Sequence, residues 1–136
     1  MSASLYIVVE GEDPGFDIYV HGHALARNED VLQRLASTLR VKPLLDFFSA
    51  DRNSMALLLE QGTGNPDWAQ HLPEPQWYSA LEGLATVRAF LEFIAATPAA
   101  LGSETAPVLS ELKEYERVLL KTSDRKLRWH LAASWY

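Results

Sequence analysis

Extended patterns lie at both ends of the chain, and this arrangement most constrains its fold. Residues 5–9 form a β-branched and aromatic run, and residues 16–21 alternate apolar and polar side chains with a period of two. A Gly- and Pro-containing turn at 11–15 separates these runs, which predicts an antiparallel hairpin. Residues 127–136 alternate in the same way and predict a terminal strand that inserts into the same sheet.

Helical patterns occupy the middle of the chain. Asn28 is expected to cap a first helix, and the sequence Ser79–Glu82 forms a capping box that opens a strongly apolar helix ending before Pro98. A last helix opens at Thr105 and has an apolar face formed by Val108, Leu112, Tyr115 and Leu119. Residues 55–60 fit either a short helix or a strand. The element order predicts an α+β fold, in which the N-terminal hairpin and the C-terminal strand form a small antiparallel sheet with helices packed on one face.

Composition limits the class of protein. The chain has 136 residues, of which 48% are hydrophobic, and it has no cysteine. This length suits a single domain over residues 1–136, and the apolar fraction excludes intrinsic disorder. Disulfides, thiol nucleophiles and cysteine-ligated metals are excluded as well. No apolar run approaches the roughly 18 residues of a membrane span, so we expect a cytoplasmic protein of the small, acidic bacterial type.

Charge is distributed unevenly along the chain. Residues 1–112 carry 6 basic and 15 acidic side chains, a net charge of −9, whereas residues 113–136 carry 6 basic and 3 acidic ones, a net charge of +3. An acidic body repels phosphate backbones, so nucleic acid is not an expected partner. The basic side chains of the last helix are predicted to form a solvated face.

Histidines suggest one kind of chemistry. On the predicted strand, His21 and His23 lie two residues apart and share a side with Asp17, and His130 lies on the polar face of the terminal strand. Imidazoles and a carboxylate can bind zinc or iron, so a metal-binding protein or a small metal-dependent enzyme is one alternative, with Asp46 as another candidate carboxylate. The other interpretation is that these are polar residues on the solvated face of a sheet.

Other catalytic signatures are missing from the sequence. There is no Gly-x-Ser-x-Gly elbow, and the pair Gly62 and Gly64 lacks the third glycine and the lysine of a nucleotide loop. We therefore expect no cofactor, and the sequence favours a protein that is not an enzyme.

Acidic and aromatic residues favour a protein-binding or regulatory module, for which toxin neutralisation (an immunity function) is one fitting role. The predicted hairpin turn contains Glu10, Glu12 and Asp13, which would attract a basic partner. The irregular stretch 62–77 and its end hold aromatic residues that could anchor a partner protein, namely Trp68, Trp77 and Tyr78. The alternative for these aromatics is packing in the core. A further hypothesis is a structural domain that forms a homodimer through an exposed sheet edge.

Overall fold

Helices and one small antiparallel sheet build the fold, as the computed structural model shows for residues 3–11, 14–49 and 76–135. The strands are β1 (Ala3–Val9), β2 (Tyr78–Ser79) and β3 (Arg128–Trp135). The α-helices are α1 (His23–Arg27), α2 (Glu29–Leu39), α3 (Ala80–Ala96) and α4 (Thr105–Asp124). Short 3-10 helices span Leu44–Phe47, Pro98–Ala100 and Gly102–Glu104. The predicted α+β class with an antiparallel sheet is confirmed.

The C-terminal strand is the centre of the sheet. Strand order is β1-β3-β2, and β1 pairs with β3 in a continuous antiparallel register from Ala3↔Trp135 to Val9↔Trp129. On its other side β3 pairs with the two-residue β2, through Tyr78↔Trp129 and Ser79↔Arg128. The prediction that the terminal strand inserts into the sheet is therefore confirmed, and among the described strands β1 lies at an edge.

The predicted N-terminal hairpin is wrong. Residues 14–22 form no strand, and the third strand of the sheet is instead the two-residue β2, which pairs with β3 and not with β1. Gly22 is bonded to β1: its carbonyl oxygen accepts from the Leu5 N–H over 3.2 Å, and its N–H donates to the Ser4 hydroxyl over 3.3 Å. Arg117 donates hydrogen bonds to the carbonyl oxygens of Asp17 and Tyr19. In a hairpin strand, backbone carbonyls of this kind would accept from the neighbouring strand instead. The alternation in 16–20 instead places Phe16, Ile18 and Val20 against the core.

Helices α3 and α4 cover one face of the sheet and form the core with it. Buried side chains recur at helical spacing, at Leu84, Val87, Phe90 and Ile94 in α3 and at Val108, Leu112, Tyr115 and Leu119 in α4. The sheet contributes Leu5, Ile7, Val9, Trp129 and Leu131. Close approach of α3 depends on Gly83, because a Cβ there would lie 2.5 Å from the Trp129 ring. The apolar faces predicted for both helices are thus buried as expected.

Helix starts agree with the sequence in position, although the capping bonds differ. Helix α2 follows Asn28 and α3 follows Ser79, yet neither side chain makes a capping hydrogen bond. Asn28 Nδ2 donates instead to the Ala24 carbonyl oxygen over 2.8 Å. The Ser79 carbonyl oxygen accepts a hydrogen bond from Trp129 Nε1 over 3.1 Å. The predicted element at 55–60 and most of the stretch 62–77 lie outside the described residues.

Helices able to cross a membrane are not found among residues 3–11, 14–49 and 76–135. A span needs about 20 consecutive apolar residues. The longest described helix, α4, has 20 residues, but it carries charged side chains along its exposed side, including Lys113, Glu114 and Lys121.

Candidate functional site

A groove of about 640 Å³ runs along the edge of the sheet and is the candidate functional site. One wall is β1, and the other wall is the segment of residues 14–21, which we call the facing segment. We name this space the β1 groove. The groove exists because the facing segment does not pair with β1 as a hairpin strand. The chain is bonded to β1 at Gly22, the residue that follows this segment.

Peptide groups of β1 point into this groove. The Glu10 N–H donates to the Arg128 carbonyl oxygen over 2.8 Å, so this residue continues the ladder with β3. Because opposite residues of an antiparallel pair alternate between bonded and non-bonded positions, Leu5, Ile7 and Val9 direct their N–H and C=O groups outward. Leu5 is satisfied by Gly22 and by the Tyr115 hydroxyl. For Ile7 and Val9, the structure gives no hydrogen-bond partner among the described residues.

Arginines of the C-terminal part of the chain hold the facing segment away from β1. Arg117 donates from Nη1 to the Asp17 carbonyl oxygen over 3.1 Å and from Nη2 to the Tyr19 carbonyl oxygen over 3.4 Å. Arg125 lies with its guanidinium 4.8 Å from the centre of the Phe16 ring. The predicted solvated face is present, since Lys113 and Lys121 are exposed on the last helix. Arg117 and Arg125 have a further role, because they bind the backbone or a ring of the facing segment.

Polar and aromatic side chains of the facing segment give the groove its chemistry. The Tyr19 side chain is 66% exposed, and its ring makes an edge-to-face contact with His21 at 4.9 Å between centroids. Asp17 Oδ1 accepts a hydrogen bond from the Tyr19 N–H over 2.9 Å. The Asp17 side chain is exposed at the surface. Of the described residues that line the groove, Asp17 alone carries a formal charge. The groove thus combines a mainly apolar wall, one exposed phenol and one negative charge.

The predicted metal ligands are only partly brought together. His21 and His23 stack with 6.2 Å between ring centroids, but His23 begins α1 and is not on a strand. His130 lies in β3 and is buried, with its ring 4.9 Å from that of Trp77. Asp17 belongs to the β1 groove. Within the ranges that the structure describes, no group of three or more His, Cys, Asp or Glu residues is arranged to hold a metal ion.

The predicted solvated face of β3 is wrong at His130. Trp129 and Leu131 are buried on the face toward the helices, as expected, but His130 and Ala132 on the opposite face are buried too. The His130 Nδ1 atom lies 3.1 Å from the Leu131 carbonyl oxygen. When both faces of a central strand are covered, exposed and buried side chains no longer alternate along it. A polar residue at such a position, here His130, is therefore not a sign of solvent exposure.

The acidic turn predicted to attract a partner is partly neutralised. Arg128 donates hydrogen bonds to both carboxylate oxygens of Glu10, including one of 2.5 Å from Nη2. The hydrogen bond and charge of Arg128 hold the pKa of Glu10 below its ordinary value. Glu12 and Asp13 lie outside the described residues, as does Trp68. Asp46 is exposed on the 3-10 helix that follows Pro43.

Trp77 and Tyr78 make contacts inside the fold. Trp77 is half-buried against the His130 ring. Tyr78 packs edge-to-face on Phe47 with 5.6 Å between ring centroids, and its hydroxyl donates to Gln76 over 3.0 Å. The packing interpretation fits these two aromatics better than the free-anchor interpretation. Tyr19 is the most exposed aromatic among the described residues. The sequence did not single it out as a site residue, although it shares the polar side of 16–21 with Asp17 and His21.

A second groove of about 600 Å³ opens at the other end of β1. Its walls are apolar apart from Glu29, and include the exposed Leu45 and Phe48. Burial, together with the neighbouring Asp30 carboxyl, raises the pKa of Glu29. The outward peptide groups of Leu5 that border it are already bonded to Gly22 and Tyr115.

Comparisons with protein-family models, curated sequences and solved structures give no match.

Proposed function

We propose that this chain is a protein-binding module that recognises a partner protein at the β1 groove. The observation that carries the proposal is an edge strand whose outward peptide groups at Ile7 and Val9 have no partner among the described residues, next to the exposed Tyr19. Exposed sheet edges pair readily with other chains, and folded proteins usually cover or blunt them.

Tyr19 is the natural anchor of such an interface. Its ring has most of its surface still to bury, and tyrosine is among the residues that contribute most to binding free energy at interfaces. Its backbone carbonyl is held by Arg117, so the residue is positioned before a partner arrives. A positioned anchor lowers the entropy cost of association.

Charge gives the second element of recognition. Asp17 places a carboxylate at the groove, and the whole chain has a formal net charge of −6. Complementary charge mainly raises the association rate and excludes partners of the wrong sign. The proposal therefore specifies a partner whose contacting segment is basic.

The test compares three immobilised proteins: the wild type, Tyr19→Ala and Leu81→Ala. Leu81 lies on α3, does not line the groove and has the same exposed fraction as Tyr19, 66%, which makes it a matched control. Partners captured from a cell lysate are identified by mass spectrometry, and their affinities are then measured with purified protein by calorimetry. We expect Tyr19→Ala to weaken binding about tenfold, equivalent to about 1.4 kcal/mol, and Leu81→Ala to leave it unchanged.

Two outcomes would contradict the proposal. One is a partner that binds all three proteins equally, because its site would then lie away from Tyr19. The other is a concentration-dependent dimer in sedimentation that Tyr19→Ala abolishes, because the groove would then be occupied by a second copy of this chain.

A further inference from the structure

We infer that the partner binds by adding an extended strand to the outward edge of β1, through the peptide groups of Ile7 and Val9, which have no partner among the described residues. This inference rests on the proposed function and names the chemical class of the bound segment. It specifies how the backbone of the groove binds, whereas the test of the proposed function uses the Tyr19 side chain.

The outward groups of β1 match an extended chain. Ile7 and Val9 each present one N–H donor and one C=O acceptor to the groove, two residues apart along the strand. Strand residues rise by about 3.3 Å each, so the two sets of groups repeat at the spacing of alternate residues in a neighbouring strand. A backbone that offers donors and acceptors at this spacing is what peptide-binding sheet edges recognise.

One end of the outward edge of β1 is closed, because the Leu5 N–H and C=O are bonded to Gly22 and Tyr115. The Glu10 N–H belongs to the ladder with β3, so it takes no part in the outward edge. The added segment therefore forms its main-chain bonds beyond Leu5, at Ile7 and Val9.

Groove side chains specify the residues of that segment. On the β1 side the half-buried Tyr6 and Val8 face the space, and on the other wall Ile18 and Tyr19 do so. These neighbours favour apolar side chains at alternate positions of the added strand. Asp17 favours one Lys or Arg next to them.

A second copy of β1 does not meet this description. The strand reads Ala-Ser-Leu-Tyr-Ile-Val-Val and contains no basic residue to face Asp17. Pairing of β1 with β1 of a second copy would bring no cation to Asp17, so we propose as occupant a basic, alternating apolar segment of a different protein.

Selected peptides provide the probe. A random twelve-residue library displayed on phage is panned on the wild-type protein and depleted on Tyr19→Ala, and the enriched peptides are synthesised. Amide hydrogen exchange is then followed by NMR in the free protein and at saturating peptide. We expect exchange at Ile7 and Val9 to slow at least about tenfold on binding, because those N–H groups become hydrogen-bonded. Tyr6 and Val8, whose N–H groups already point to β3, serve as internal controls.

A pair of N-methylated peptides tests the same point from the ligand side. Methylation of alternate amides removes the donors on one edge of the peptide and leaves the other edge intact. We expect one methylated series to lose at least about tenfold in affinity, or about 1.4 kcal/mol, and the complementary series to bind like the parent peptide.

Failure of strand addition differs from failure of the proposed function. Unchanged exchange at Ile7 and Val9 with equal affinities for the two methylated series would overturn strand addition, while Tyr19-dependent binding would still support a partner site. A library that yields no Tyr19-dependent peptide would also count against strand addition, because main-chain pairing needs only a short segment. The capture experiment with Tyr19→Ala separately decides whether the groove binds a partner protein.

Discussion

The Tyr115 hydroxyl donates a hydrogen bond to the Leu5 carbonyl oxygen and so joins α4 to the edge of β1. Tyr115 is fully buried, and burial, together with the nearby charge of Glu111, raises its pKa above the ordinary value, so the hydroxyl stays a neutral donor. Gly22 lies against the same two groups: a Cβ there would be 1.9 Å from the Leu5 oxygen and 2.6 Å from the Tyr115 hydroxyl. This junction closes one end of the β1 groove.

Replacement of Tyr115 by Phe should destabilise the protein by about 1–2 kcal/mol, because it leaves a buried carbonyl oxygen without its donor while the ring packing remains. Denaturation in urea measures the change. The matched control is Tyr78→Phe, which removes a hydroxyl whose partner among the described residues is the exposed Gln76 side chain. An equally large loss of stability in Tyr78→Phe would show that the bond from Tyr115 to Leu5 stabilises the protein no more than an exposed hydrogen bond does.

Glu111 acts as a cap for α1 from another helix. Its carboxylate accepts the Ala24 N–H over 3.0 Å and the Leu25 N–H over 2.9 Å. We expect Glu111→Ala to cost about 2 kcal/mol, since two charge-assisted bonds at a helix start are lost. Glu116→Ala, which removes an exposed pair with Arg88, should change stability by less than about 0.5 kcal/mol in the same denaturation experiment. Equal effects of the two substitutions would contradict the capping role.

Arg117→Ala should release the facing segment. Without its bonds to Asp17 and Tyr19, the segment is expected to shift its NMR resonances at 16–20, and binding of Tyr19-dependent peptides should weaken about tenfold, or about 1.4 kcal/mol. Arg88→Ala is the control, because Arg88 binds Glu116 on the opposite helix and has no contact with the groove lining. Wild-type affinity in Arg117→Ala would show that the groove does not need this support.

Acid should destabilise the protein through Glu10. Its pKa is lowered by Arg128 from the ordinary value of 4.5, so the stability that it contributes is present above pH 4.5 and is lost as pH falls through the lower folded value. Glu10→Gln should therefore flatten the decline of the thermal midpoint in this range. The pKa of Glu29 is raised, so its effect on stability has the opposite pH dependence: ionised Glu29 destabilises the protein, and this loss disappears as pH falls. Glu29→Gln should therefore steepen the decline of the thermal midpoint. Melting curves recorded from about pH 7 to about pH 3 test both slopes, and parallel curves would contradict the assignments.

The candidate site was predictable only in part. Asp17 and His21 were selected from the sequence and do line the β1 groove, but as neighbours of Tyr19 and not as ligands of a metal with His130. Glu10 was selected as a free charge, yet it is paired with Arg128 from 118 positions along the chain. Long-range pairs of this kind leave no periodic pattern in the sequence.

Local periodicity determined the helices and the terminal strand. The apolar faces of α3 and α4 repeat at three and four residues, and β3 alternates at two, because side chains that must share a face recur with the period of the element. Sequence also determined where α3 ends, since Pro98 cannot continue a helix. These features depend on residues close in the chain.

Only the tertiary structure decided the course of residues 14–22. Their alternation suits a hairpin strand, but it is satisfied equally when Phe16, Ile18 and Val20 pack on the core without main-chain pairing. The choice was made by the contacts of Arg117 and Arg125, about 100 residues away, and by the close approach of Gly22 to Leu5. A period of two specifies which side chains share a face; it does not specify which backbone, if any, pairs with the strand, because that depends on elements distant in sequence.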